Sequence, residues 1–295
     1  MSSVPHGYVD PNFPNPMGPN DATIIIYGYR PSLALAALAI ALFFLALLAH
    51  LYLLLRHRTW YFSTMLVGTT MEVVGYVFRL LSSQQDPYSV PWFVVQYFFI
   101  VVAPVFFSAA IYTVVSVLIN AYGREYAPLP PRAILGIFIT CDVVATITQI
   151  AGAALIGVAY SNGEDPTTPN HILLAGLAFQ VFTFAVFLVV LVWTLWRARR
   201  SSVNVSRTFL GALVVATLAV YLRTCFRLAE TAQGLEHYLS THEVFFGCLE
   251  FAPIVVSVYA FTYWHPGGWL GASLKGRTIG DADVLEDSGP GKLAP

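Results

Sequence analysis

Residues 32–55 read SLALAALAIALFFLALLAHLYLLL, a run without Asp, Glu, Lys or Arg. About 20 such residues in a helix cross the roughly 30 Å of bilayer hydrocarbon. Six more apolar runs follow, at about 60–82, 91–119, 134–158, 172–196, 208–230 and 243–263, each of at least 20 residues. In lipid, a segment this long satisfies its backbone only as a helix; a membrane β-barrel would show short alternating segments instead. The pattern predicts an all-α integral membrane protein, a bundle of seven transmembrane helices spanning 32–263. The third run is long enough to predict a tilt, and Pro104 predicts a kink in it.

Composition points the same way. Of 295 residues, 57% are hydrophobic and 11% charged, and the mean hydropathy is +0.68. A soluble domain carries about 25% charged residues, so this chain lacks the charged skin that a water-soluble core of its size needs. Net charge is -1 and the pI is about 6.6, which gives no basic field for nucleic acid. Cys141, Cys225 and Cys248 all fall in apolar runs, where no disulfide, zinc or haem spacing is present.

The basic residues set an expected orientation. The segments after the first, third and fifth runs, with the C-terminal tail, hold 11 of the 15 Lys and Arg residues; Arg30 alone falls on the other side. The positive-inside rule then puts the N-terminus outside and the C-terminus in the cytoplasm. Trp60, Trp92, Trp193, Trp196, Tyr263 and Trp264 sit near the ends of runs, as interfacial aromatics do. Residues 1–31, rich in Pro, Asn and Gly, lack a basic n-region and a cleavage site; they are expected to form a disordered extracellular tail and not a signal peptide. Residues 264–295 are expected to be a cytoplasmic, largely disordered tail. The basic loop at 197–207 is accounted for by topology, with contact to anionic lipid as the second reading.

Ionisable groups in lipid cost at least about 2.5–3.5 kcal/mol each on insertion scales. The runs nevertheless contain Glu72, Arg79, Asp142, Arg223, Arg227, Glu230 and Glu250, with Glu243 at an edge and Gln96, Gln149 and Gln180 besides. Glu72 and Arg79, Asp142 and Gln149, Arg223 and Glu230, and Glu243 and Glu250 are each seven residues apart, nearly two turns, so each pair shares a helix face. With the expected orientation most of these groups fall in the outer half of the bilayer, which predicts a polar pocket opening outward. Two readings are compatible: inter-helix salt bridges that fix packing, and a site for an amphipathic ligand with a polar head. Arginines suit a phosphate or carboxylate, and carboxylates suit an amine. All eleven residues are candidates for ligand binding or transport.

Other chemistries lack their residues. There is no P-loop for ATP and no lysine in any run for a retinal Schiff base. The receptor-type Asp/Glu-Arg-Tyr and Asn-Pro-x-x-Tyr motifs are missing, and there is no His-Glu-x-x-His. Glu236, His237, His242 and Glu243 cluster in one loop and His171 opens the fifth run, but surface histidines of this kind are ordinary. No catalytic residue, metal or cofactor is expected.

The polar residues sit in a series of short motifs: Tyr29-Arg-Pro-Ser32, Glu72-Val-Val-Gly-Tyr-Val-Phe-Arg79, Ala103-Pro104 with Ala109-Ala-Ile-Tyr112, and Asp142 with Gln149-Ile-Ala-Gly152. Gly176-Leu-Ala-Phe-Gln180, Arg223-Thr-Cys-Phe-Arg227-Leu-Ala-Glu230-Thr-Ala-Gln-Gly234, His242-Glu243 and His265-Pro266-Gly267 follow. Together, in this order on seven runs, they resemble the RTA-like family of fungal membrane proteins, the lipid-translocating exporters, over roughly 29–270. The chain departs from that pattern at Gly247 and Glu250, where the family has Tyr and Asp, and lacks its Asn in the first run. The resemblance implies export or translocation of amphipathic lipids, such as sphingoid bases or toxic sterol-like compounds, with resistance as the consequence and the plasma membrane as the site. It implies membrane lipids or amphipathic small molecules as partners; no protein partner is indicated. A seven-helix receptor or stress sensor with an outward-facing pocket is the alternative, and an intramembrane lipid hydrolase a minor one.

Overall fold

The computed structural model describes residues 9–10, 21–22, 25, 27–162, 164–201, 203, 205–234 and 238–269. Seven helices long and apolar enough to cross a membrane make up almost all of it. The first six are Leu33–His57, Ser63–Gln84, Val90–Tyr122, Pro131–Asn162, Thr167–Ala198 and Arg207–Gln233. The seventh span runs over Glu243–Trp269. The protein is therefore an all-helical, multi-pass integral membrane protein. Of the tail expected over 264–295, residues 264–269 continue the seventh span, with His265 buried, and residues 270–295 lie outside the described residues.

Local chemistry sets several ends. The Ser32 hydroxyl accepts from the Leu35 N–H at 3.4 Å and starts the first span. Arg58, at φ 53°, closes it in the left-handed region. A proline in the first turn opens the third span, and Gly123, at φ 117°, ends it.

Consecutive spans pack side by side, and the seventh returns to the first, so the bundle closes on itself. The third span also touches the fifth and sixth. Of its most apolar stretch 67% is buried, against 28% for the first span. It runs through Pro104 as one helix. Around it, Tyr112, Phe138, Phe184 and Phe187 interlock, the Tyr112 and Phe187 rings 4.5 Å apart and near edge-on. Large apolar side chains such as Leu45, Ile147, Phe182 and Val189 cover the outside, as a lipid-facing surface requires.

The seventh span is not a uniform α-helix. Phe246–Phe251 form a π-helical turn, after which Ala252–Tyr263 are α-helical. Pro253 follows this wide turn; its ring would clash with the carbonyl four residues back and it donates no hydrogen bond there. Glu250 lies within the widened turn.

Close approach of the fourth and fifth spans depends on Gly152. A Cβ built there would stand 2.6 Å from the backbone N of Leu173, whereas one at Gly136 would meet nothing within 4 Å. Gly152→Ala is expected to lower stability by about 1–3 kcal/mol by overpacking, and Gly136→Ala to leave it equal or slightly higher. Thermal unfolding in detergent micelles checks the difference in sign.

Candidate functional site

The buried polar residues gather in the half of the bundle nearer the N-terminal segment. They form three linked groups, with one carboxylate apart. All but Glu230 and Glu243 of the eleven sequence candidates are buried.

The first group is built on Arg79, 1% exposed in the second span. Its Nη2 donates to Glu243 Oε1 and to the Tyr29 hydroxyl, both at 2.9 Å. The Phe246 ring centre lies 4.0 Å from the guanidinium carbon. Glu243 also accepts from the Ser32 N–H at 2.9 and 3.1 Å, so one carboxylate ties the start of the first span to the second and seventh. Ser83 Oγ donates to the Pro31 carbonyl at 2.7 Å, and Tyr27 Oη to Gln96 Oε1 at 2.5 Å. Residues 27–32 thus lie fastened across the end of the bundle. This differs from the expectation of a disordered tail through residue 31. Tyrosines and an N-cap, spaced to reach buried polar groups, gain enough hydrogen bonds to offset the entropy of ordering. Burial lifts the Tyr27 and Tyr29 phenols above the usual tyrosine range, with Arg79 pulling the other way, so both stay protonated donors at neutral pH.

The second group is deeper. Arg223 donates from Nε to Glu250 Oε1 at 2.9 Å and from Nη2 to the Ile100 carbonyl at 3.1 Å. That carbonyl is free because Pro104, four residues on, has no N–H to offer it. Glu72 is 2% exposed and has Arg223 and Glu250 as its charged neighbours.

The third group faces a cleft of about 580 Å³ between the third and fourth spans, extending to the ends of the fifth and sixth. Arg227 donates to Glu230 Oε2 at 2.6 Å along one helix face and lies 4.9 Å from the Tyr97 ring centre. Gln149 Nε2 donates to Gln180 Oε1 at 2.9 Å. Arg79, Gln96, Gln149, Arg227 and Glu230 line the cleft; Glu72, Asp142, Gln180, Arg223, Glu243 and Glu250 do not. Its walls also include Val94, Phe98 and Ile150, which are exposed. The cleft is mostly apolar, with these few polar side chains set into its wall.

Asp142 stands apart from these groups. Its Oδ2 accepts from the Tyr112 hydroxyl at 2.9 Å, while Oδ1 is buried without a partner.

Seven-residue spacing placed these side chains on common faces, but it did not choose partners. Glu72 and Arg79 share a helix, yet Arg79 pairs with Glu243 and Arg223 with Glu250. Tyr27, Tyr97, Phe246 and the Ile100 carbonyl were not among the sequence candidates. Pro104 carried a signal for the last, since a proline inside a helix always frees a carbonyl four residues earlier. Among the described residues, no group of three or more His, Cys, Asp or Glu is arranged to hold a metal, and all three cysteines are free. Glu236 and His237 lie outside the described residues.

Two outcomes follow from this geometry. Glu250→Ala leaves the Arg223 charge buried and is expected to cost about 3–5 kcal/mol, part of it recovered in an Arg223→Met/Glu250→Leu double variant; denaturant titration of the purified protein measures both. Tyr29→Phe removes an acceptor of Arg79 and is expected to speed amide hydrogen exchange across 27–32 while the deeper helices keep their protection. In the unaltered chain the tyrosine contribution is present at neutral pH and lost as pH rises through the raised phenol values, so exchange at 27–32 accelerates in alkali first.

Comparison with known proteins now identifies the family. The model of the RTA1 like protein family matches residues 65–273, the second span onward. The chain is 30% identical over 290 residues to the sphingoid long-chain base transporter RSB1 of Saccharomyces cerevisiae (strain Lalvin EC1118), covering 85% of this chain and 75% of that protein. It is 27% identical to protoporphyrin uptake protein 1 of Saccharomyces cerevisiae, over 68% of this chain and 67% of that one. Protein RTM1 of the same species is also 27% identical, over 68% and 65% of the two chains. No solved structure matches the chain. A family match over most of the membrane bundle, with a relative at this identity and coverage, means that the chain belongs to the RTA1-like family of membrane proteins.

Proposed function

We propose that this protein moves amphipathic lipids of the sphingoid-base type across the membrane, without an ATPase or other enzymatic activity of its own. The observation that carries this reading is the cleft between the third and fourth spans. Its lining sets Arg227, Glu230, Gln96, Gln149 and Tyr97 among apolar side chains, of which Val94, Phe98 and Ile150 are exposed. An acyl chain can stay in the bilayer while the head enters sideways among these groups. An amino-alcohol head suits them: carboxylate and amide oxygens accept from an ammonium, and hydroxyls pair with the amides and Thr167. The relative named as a sphingoid long-chain base transporter supports the same ligand class.

The orientation belongs to this proposal. Basic residues concentrate on one side of the bundle, so the end covered by residues 27–32 faces outward and the cleft with it. The plasma membrane is the proposed location, and resistance to toxic amphipathic compounds the proposed consequence. A receptor with the same pocket would bind the lipid and leave it in its leaflet.

Reconstitution separates the two. Proteoliposomes carrying a labelled long-chain base are expected to show faster transbilayer movement than protein-free vesicles. Arg227→Ala and Glu230→Gln, each checked for folding, are expected to lower the rate at least about tenfold, the equivalent of one strong charged contact of about 1.4 kcal/mol. Binding without any acceleration over empty vesicles sinks the transport reading in favour of the receptor.

A further inference from the structure

The charged residues of the bundle do not balance within their pairs. Arg79 is matched by Glu243, Arg223 by Glu250 and Arg227 by Glu230. Glu72 and Asp142 are left, and both are buried. Asp142 keeps a tyrosine donor. Among the described residues Glu72 has neither a hydrogen bond nor an ion pair, although it is only 2% exposed.

Among the described residues, its surroundings offer one cation, Arg223. Tyr76 lies on its own helix, Arg223 on the sixth span and Glu250 on the seventh. From the first span comes Phe43, stacked on Tyr76; from the third come Phe107 and Ile100, against Gly68 and Gly75 on either side of Glu72. None of these last carries a charge. Arg223 spends its contacts on Glu250 Oε1 and the Ile100 carbonyl. Glu250 Oε2, also buried, has no partner. Glu250 also feels Arg227, which is itself paired with Glu230, so three carboxylates face two guanidiniums in a place where an uncompensated charge is strongly disfavoured. One positive charge is missing from the cluster, and a proton supplies it.

The cluster adjoins the cleft through Ile100. Ile100 lines the cleft, and its own carbonyl holds Arg223. Arg79 and Phe246 line it too, and Phe246 packs edge-on against Tyr76.

We propose that Glu72 is the coupling site of this carrier, holding a proton when the cleft is empty and releasing it when a cationic lipid headgroup enters. This rests on the reading of the cleft as a site for an amine-bearing lipid. In the exchange the O–H bond of Glu72 breaks, the proton passes to water, and the ligand ammonium in the adjoining cleft, without contact to Glu72, supplies the compensating positive charge. Cluster and ligand together keep the same net charge, so neither state buries an unbalanced ion. The protein then exchanges one lipid cation for one proton, and a pH gradient can drive it in place of ATP.

The test uses the purified full-length protein in nanodiscs. Infrared spectra at neutral pH are expected to show a carboxylic-acid C=O band in the ligand-free protein. Adding sphinganine is expected to remove that band and to release one proton per lipid bound, read with a pH-sensitive dye in weak buffer. Glu72→Gln is expected to lack the band and the proton release while still quenching tryptophan fluorescence on binding sphinganine. Glu72→Asp, which retains the acid, is expected to keep both at a shifted band position and guards against misfolding of the first variant. A band that is absent from the unaltered protein, or unchanged in a folded Glu72→Gln, overturns the assignment. Sphinganine binding with no loss of the band overturns the coupling but leaves the lipid reading standing. No fluorescence response to sphinganine in the unaltered protein overturns the lipid reading and the exchange with it.

Discussion

A guanidinium inside lipid has to be satisfied almost completely, and the way Arg223 is satisfied organises the bundle. It takes its acceptors from two other helices, the Ile100 carbonyl of the third span and the Glu250 carboxylate of the seventh. Prolines stand behind both. Pro104 removes the donor that would have occupied the Ile100 carbonyl, and Pro253 follows the π turn that contains Glu250. Each proline costs backbone hydrogen bonding within its own helix, and at Ile100 Arg223 recovers part of that loss between helices. Three spans are thereby held in register at one depth, and Glu72 is brought beside them.

Above this layer, toward the N-terminal end, the interactions become less buried and more numerous. Arg79, Glu243, Tyr29 and the Ser32 N–H form one network that draws the segment before the first span over the end of the bundle. The cleft lies against this network, with Tyr27, Tyr29 and Arg79 in its wall. Deep rigid pairing and a peripheral cover held by single hydrogen bonds give a gradient of local stability. Such a gradient suits a site that must admit and release a ligand while the helices around it stay in place.

Sequence periodicity made the seven spans legible, because lipid permits only helices of that length and composition. It also identified nearly every buried charge, since an ionisable residue in an apolar run is conspicuous. Partner choice was not legible. Seven-residue spacing placed Glu72 with Arg79 on one face, but Arg79 meets Glu243, 164 residues away, and Arg223 meets Glu250, 27 away. The ordering of residues 27–32 was hidden for a similar reason: Pro, Asn and Gly dominate the leader, and its tyrosines gain partners only from helices that lie far off in the chain.

What the sequence by itself determined was the kind of solvent, the number of crossings and the stock of polar groups that had to be turned away from lipid. These follow from transfer free energies, which are properties of single residues and short runs. Tertiary structure alone decided which of those groups neutralise one another, which line the cleft and which acid is left without a partner. Pairing depends on distances between side chains on different helices, set by how the spans pack around the third, and no local pattern encodes them.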